Sequence, residues 1–281
     1  MIARRSLLLP GMLAFGFAFL YLPILSMIVF SFNASRLVTV WDATHSPTLR
    51  WYAELFHNQQ ILDAAWLSLQ IAIMNASGAT ILGTMAGFAL VRYGRLRGHA
   101  LLGALTTAPL VLPEIITGLS LLLLFVAMEQ LLGWPSSRGV TTITIAHISF
   151  SLSYVAVIVQ ARLTGFDESL EEAALDLGAR PAKVFARITL PLIAPALLSG
   201  WLLSFTLSWD DVVISQFVAG PGSSTLPMVI FSKVRLGVSP DVNALATLMV
   251  SVVAVGVVAS ALFVQSRERR RAREMRMALA A

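Results

Sequence analysis

Of 281 residues, 57% are hydrophobic and 12% charged, with a formal net charge of +5. Soluble domains run at roughly 45 to 50% apolar and about 25% charged, so this composition excludes an ordinary soluble enzyme and points to a polytopic membrane protein. Cysteine is absent, which removes disulfides, thiolate metal sites and a cysteine nucleophile. His45, His57, His99 and His147 show no ligand spacing, so each reads as a loop or packing residue rather than a metal ligand.

In chain order, Arg4 and Arg5 precede an apolar run from about Leu7 to Phe32, longer than the roughly 20 residues a spanning helix needs. It is too long for a signal-peptide core and no small-x-small cleavage site follows, so it reads as an uncleaved first span. The polar stretch 33–60 carries Trp41, Trp51 and Tyr52, which suit a membrane-surface loop. A second span is expected over Ile61 to Val91, then a basic turn with Arg92, Arg95 and Arg97. A third, over Ala100 to Met128, contains Pro109 and Pro113, whose kinks free carbonyls that neighbouring protein or water must satisfy. Gly133, Trp134, Pro135 and Gly139 form a short loop before a fourth span at Thr142 to Ala161. The fifth is expected over Ala194 to Val218. An outer loop, 219–242, is marked by Gly220, Pro221, Gly222 and Pro227 and holds a short helix from Met228 to Arg235. The sixth covers Asn243 to Val264, and a basic tail occupies 265–281.

Six spans place both termini on one side, and charge says which. Of the 20 lysines and arginines, only Arg36, Arg50, Arg138, Lys233 and Arg235 fall in the loops of the opposite side, so the positive-inside rule makes both termini cytoplasmic. Basic charge in the tail reads as an anchor near anionic lipid headgroups rather than as a nucleic-acid site.

Between the fourth and fifth spans lies a polar island, 167–191. Asp167 is expected to cap a short helix, with Glu168, Glu171 and Glu172 near its N-terminus where the macrodipole favours them. Leu170, Ala173, Ala174 and Leu177 form its apolar face, shallow enough at the alanines for another backbone to approach. Gly178 stops the helix and Pro181 opens a second one, bearing Lys183 and Arg187. Glu172, Ala173, Ala174, then Gly178, then Ile188, Leu190 and Pro191 resemble the EAA signature loop of ABC-importer permeases. That resemblance implies an all-helical, six-span permease of the type I importer fold, a single domain over 1–281. In it the helix-turn-helix seats in a groove on a separate ATPase subunit.

No G-x-x-x-x-G-K-[ST] phosphate loop occurs, so ATP hydrolysis is expected on another polypeptide. Neither a nucleophile elbow nor a paired acid and base stands in a polar domain, and no enzyme, cofactor or metal is expected. Polar residues recur as one-sided stripes inside the spans. They are Ser68 and Asn75; Thr107, Glu114 and Thr117; His147, Ser151 and Tyr154; and Asn243, Thr247 and Ser251. The fifth span has the clearest, Ser204, Ser208, Asp211 and Ser215 at i, i+4, i+7 and i+11, with Thr206 and Asp210 beside it. Serine and threonine of this kind commonly hydrogen-bond across membrane helices. Carboxylates are expensive there, and the assigned spans contain no lysine or arginine to pair with Glu114, Asp210 or Asp211.

The runs 108–125, 205–228 and 242–247 resemble permeases of putrescine and spermidine importers, closest to the putrescine type. Trp209 stands where a smaller residue is expected before the paired aspartates. The resemblance implies a second, related permease, two ATPase subunits and a periplasmic polyamine-binding protein, all at the bacterial inner membrane. From its place on the polar ladder, Asp211 is expected to face the solute path with Asp210 and Glu114 assisting, Trp209 or Tyr154 adding cation–π attraction and Ser208 alongside; pairing with an arginine of the partner permease, or solvation of Asp210 and Asp211 at a helix end, is the other reading. Importers of iron or an opine share the signature loop, and an ion-coupled carrier is the alternative from another class.

Overall fold

The computed structural model describes residues 8–36, 40–94, 97–237 and 240–256, together with 258, 262 and 265. All regular elements among them are helical: α1 (Leu8–Phe30), α2 (Arg50–His57), α3 (Gln59–Arg92), α4 (His99–Val111), α5 (Glu114–Leu132), α6 (Val140–Thr164), α7 (Ser169–Asp176) and α8 (Pro181–Val184). A π-helical turn (Phe185–Thr189) then leads into α9 (Leu190–Trp209), followed by α10 (Val213–Val218), α11 (Leu226–Leu236) and α12 (Pro240–Gly256). Five helical runs are long and apolar enough to cross a membrane: α1, α3, α5, α6 and the continuous run Pro181–Trp209. The expected basic tail and most of the last turns of the sixth span lie outside the described residues.

Two expected spans are interrupted. The third splits into α4 and α5, because Pro113 has no N–H and biases Leu112 into the extended conformation it adopts, φ −75° and ψ 137°. The fifth stops at Trp209 and resumes at Val213. The third span starts at His99, close to the expected Ala100, but α5 runs past the expected Met128 to Leu132 before Gly133, in the left-handed conformation, ends it.

The chain forms two compact units, one drawn from Met1–Gln59 and Ser232–Ala281, the other from Gln60–Phe231. In the first, buried Asn33 organises the loop after α1. Its Oδ1 accepts from the Asp42 N–H at 2.9 Å, its Nδ2 donates to the Val40 carbonyl at 2.7 Å, and its carbonyl accepts from Trp51 Nε1 at 2.6 Å. A loop that satisfies its own backbone this way needs no sheet or helix partner.

In the second unit α6 is central. Glycines on α3 let it come close: a Cβ at Gly83 would lie 2.7 Å from the Leu152 carbonyl, and one at Gly87 2.8 Å from that of Ala156. Small residues at such crossings replace the hydrophobic driving force that lipid cannot supply. Ala79, Val155, Val159, Leu163 and Ile193 make one buried cluster, and Ile71, Phe125, Ile143, Ala146, Phe150, Ile214 and Val218 another. Polar side chains join the same helices. Asn75 donates to the Ser204 carbonyl at 2.7 Å and to Ser151 Oγ at 3.2 Å, Trp201 Nε1 donates to Ser77 Oγ at 3.3 Å, and Ser68 Oγ accepts from the Leu226 N–H at 2.8 Å.

Candidate functional site

In the polar island α7, the left-handed Gly178 and the Pro181 start of α8 stand at the expected positions, but α8 runs on through the π turn into α9 instead of forming a separate second helix. Asp167 Oδ1 accepts from the Ser169 N–H at 3.0 Å, and hydrogen bonding from Ser169 holds its carboxyl below the usual range. The helix-capping position itself is Glu168, one residue later than expected. At the other end Gly178 takes φ +80°. Its N–H reaches the Leu175 carbonyl at 2.9 Å while that of Ala179 reaches Ala174 at 3.0 Å, the paired bonds that end a helix on a left-handed residue. Arg180 is extended and Pro181 opens α8. Pro191 and Pro195 follow closely. Pro191 cannot donate an N–H to the preceding turn, and the helix before it widens so that the Leu190 N–H bonds to Phe185, five residues back.

Among the described residues nothing covers the tip of this turn. Leu177 is 89% exposed and Leu170 49%, with Glu172, Ala173 and Gly178 exposed beside them. Ala174 and Ile188 are half-buried, and Leu190 and Pro191 are exposed. Behind the tip lies Arg92, which charge counting had assigned only to a topogenic basic turn. Its side chain is 12% exposed and forms ion pairs with Glu168 and with Glu171, the latter at 3.0 Å without hydrogen-bond alignment. Glu171 also accepts from buried Thr189 Oγ1 at 2.5 Å. The Phe166 ring sits 5.8 Å from the guanidinium carbon. Only the i, i+3 relation of Glu168 to Glu171 on one helical face hinted at a shared cation.

A second cluster occupies the α9–α10 interruption. His147, on α6, places Nδ1 2.7 Å from Ser208 Oγ and Nε2 3.1 Å from both Asp211 Oδ2 and Ser215 Oγ. Asp211 in turn accepts from the N–H of Ile214 at 3.2 Å and of Ser215 at 2.7 Å. The two side chains are 2% and 8% exposed. A carboxylate only accepts, so Nε2 carries the proton toward Asp211. Among the described residues no lysine or arginine pairs with Asp211; what the structure adds is the His147 ring, which donates a hydrogen bond to its carboxylate. The polar ladder Ser204, Ser208, Asp211 and Ser215 is buried on one side although the helix carrying it is broken.

The remaining candidate residues are separate. Glu114 is exposed in the first turn of α5, where the macrodipole favours a carboxylate. Asp210 is exposed at the end of α9. Trp209 stacks on Phe205 at 5.9 Å, which stacks on Trp201 at 5.5 Å. Tyr154 leans on Phe150 at 5.4 Å. Among the described residues, no group of three or more His, Cys, Asp or Glu is arranged to hold a metal ion.

Apolar helices long enough to span, broken at proline and aspartate and joined by polar side chains between helices, define a multi-pass helical membrane protein. Residues 79–273 match the family described as binding-protein-dependent transport system inner membrane component, and the chain belongs to that family. It is 55% identical over 246 residues to the putrescine transport system permease protein PotI of Escherichia coli (strain K12), covering 88% of this chain and 86% of that one. Its identity to the spermidine/putrescine transport system permease protein PotC of the same strain is 42% over 261 residues, 93% and 95% of the two chains. Among solved structures, a bacterial ABC transporter involved in the import of the acidic polysaccharide alginate superposes with a TM-score of 0.70 at 17% identity, covering 92% of this chain and 94% of that chain. The MetNI methionine ABC transporter gives 0.58 at 15%, over 72% and 92%. At those identities the likeness shows the fold.

Proposed function

We propose that this chain is a permease subunit of an ATP-driven importer for polyamines of the putrescine type. The observation that carries the proposal is the 55% identity to PotI across 88% of the chain, with PotC the more distant of the two polyamine permeases. Translocation is the reaction, and ATP is hydrolysed on separate subunits, since the chain has no phosphate loop. A second related permease, two ATPase subunits and a periplasmic polyamine-binding protein complete the assembly. The six-span topology has both termini cytoplasmic; α4 with α5 forms the third crossing, and α12 belongs to the sixth.

Two surfaces divide the work. The exposed tip around Glu172, Ala173, Ala174 and Gly178, backed by Ile188, Leu190 and Pro191, seats against the ATPase. Asp210, exposed at the other end of α9, and Glu114, exposed in the first turn of α5, receive the ammonium groups of the solute, and the Trp209 ring offers it a π face. Asp211 and Ser208, held by His147, keep the α9–α10 interruption open; Tyr154 lines the region beside them. Uptake by the assembled transporter in proteoliposomes, supplied with its binding protein, tests this reading. Labelled putrescine should accumulate with ATP, unlabelled spermidine should compete, and iron or an opine should not. Accumulation of one of those other solutes, or uptake driven by an ion gradient without ATP, would overturn it.

A further inference from the structure

We infer that Arg92 is a positioning residue which fastens the exposed helical turn to the core, so that displacement of the turn becomes displacement of α3 and α9 together. The inference rests on the reading of that turn as the ATPase-facing element. Arg92 is the last residue of α3 and reaches both Glu168, just before α7, and Glu171 inside it. Glu171 passes the connection to Thr189, which is 1% exposed at the end of the π turn that leads into α9. One guanidinium thereby joins the end of one spanning helix, the first limb of the turn and, through a single carboxylate, the root of the second.

Burial makes this junction stiff. Arg92 and Glu171 are 12% and 17% exposed whereas Glu168 is 61% exposed, so removing Arg92 leaves mainly Glu171 uncompensated, while the exposed Glu168 loses little. Packing supports the charges: Phe88 of α3 meets Phe185 of the π turn edge-on at 5.4 Å, and Arg162 of α6 donates to the Leu192 carbonyl at 3.2 and 3.1 Å. The same helices are joined again farther along, from the middle of α3. Asn75 lies 17 positions before Arg92, roughly 25 Å up the α3 axis, and binds Ser204 of α9. Ser204 is one turn from Ser208, which holds His147. A push at the turn is thus delivered to two helices that are cross-linked near the α9–α10 interruption, rather than absorbed in a loose connector.

The test is the ratio of solute taken up to ATP hydrolysed by the complete transporter in proteoliposomes. Arg92→Gln should assemble and hydrolyse ATP, but uptake per ATP should fall about fivefold or more, the lower end of typical coupling between sites. The exchange Arg92→Glu with Glu171→Arg should recover part of the loss. Thr189→Val, which keeps the volume and removes only the bond to Glu171, should lower the same ratio without impairing insertion. An unchanged ratio in Arg92→Gln overturns the inference; should that variant not accumulate in the membrane, an unchanged ratio in Thr189→Val does so. Recovery of assembly but not of the ratio in the exchanged pair reduces Arg92 to a structural brace and also overturns it. Failure of the underlying reading is separate: it shows as normal uptake in Gly178→Asp, whatever Arg92 does.

Discussion

His147 Nε2 and Asp211 Oδ2 meet at 3.1 Å across the interruption between α9 and α10. The carboxylate also accepts two backbone N–H groups at the start of α10. Asp211 is therefore occupied within its own chain, whereas its neighbour Asp210 is exposed. The two aspartates are expected to fail differently.

Replacing Asp211 with Asn leaves one acceptor oxygen where the carboxylate has two, so either His147 and Ser215 or the Ile214 N–H faces an amide NH2 instead of an acceptor. A buried donor left unsatisfied costs about 1 to 3 kcal/mol. Thermal unfolding in detergent should shift down, and uptake should fall with it. Asp210→Asn should leave the unfolding temperature unchanged and raise the apparent KM for putrescine about tenfold, equivalent to about 1.4 kcal/mol of lost attraction. Equal thermal shifts in the two variants would refute the division.

Gly178 has φ +80° with open space around its Cα. An alanine there meets no neighbour but adopts a left-handed conformation at a cost of roughly 1 to 2 kcal/mol, so Gly178→Ala should weaken the turn modestly. Gly178→Asp and Glu172→Lys add charge of the wrong kind or bulk at the proposed ATPase contact. Both should remain in the membrane, yet lose co-purification of the ATPase subunits and at least about 90% of uptake, a tenfold effect worth about 1.4 kcal/mol.

Helix packing makes a third case. Gly83→Val would force a side chain into the Leu152 carbonyl and Val155; overpacking of this kind costs typically about 1 to 3 kcal/mol. Gly103→Ala meets only Leu90 Cδ2 at 3.7 Å, an ordinary contact. The unfolding temperature should drop in the first variant and hold in the second.

Topology is checked by reporter fusions. Fusions after Arg97 and after Ala179 should report the cytoplasm, and one near Gly222 should be exported. A cytoplasmic Gly222 would require a different number of crossings.

Amino-acid order alone determined the membrane class, the places of the apolar runs and the helix-turn-helix with its glycine stop. Those features follow from composition, apolar length and local backbone chemistry, all of which act over a few turns of chain. Proline at 113 foretold a kink in the third span, but the complete break at Asp210 did not show, because the i, i+4, i+7, i+11 ladder of Ser204, Ser208, Asp211 and Ser215 looks the same on an unbroken helix. Tertiary structure alone decided the partners. His147 lies 64 positions from Asp211 and Arg92 lies 79 positions from Glu171, and no periodicity along one helix encodes which face another helix will present to it. Pairing of buried polar groups is settled only when helices pack, because in lipid each such group must find its partner in whatever protein comes next to it.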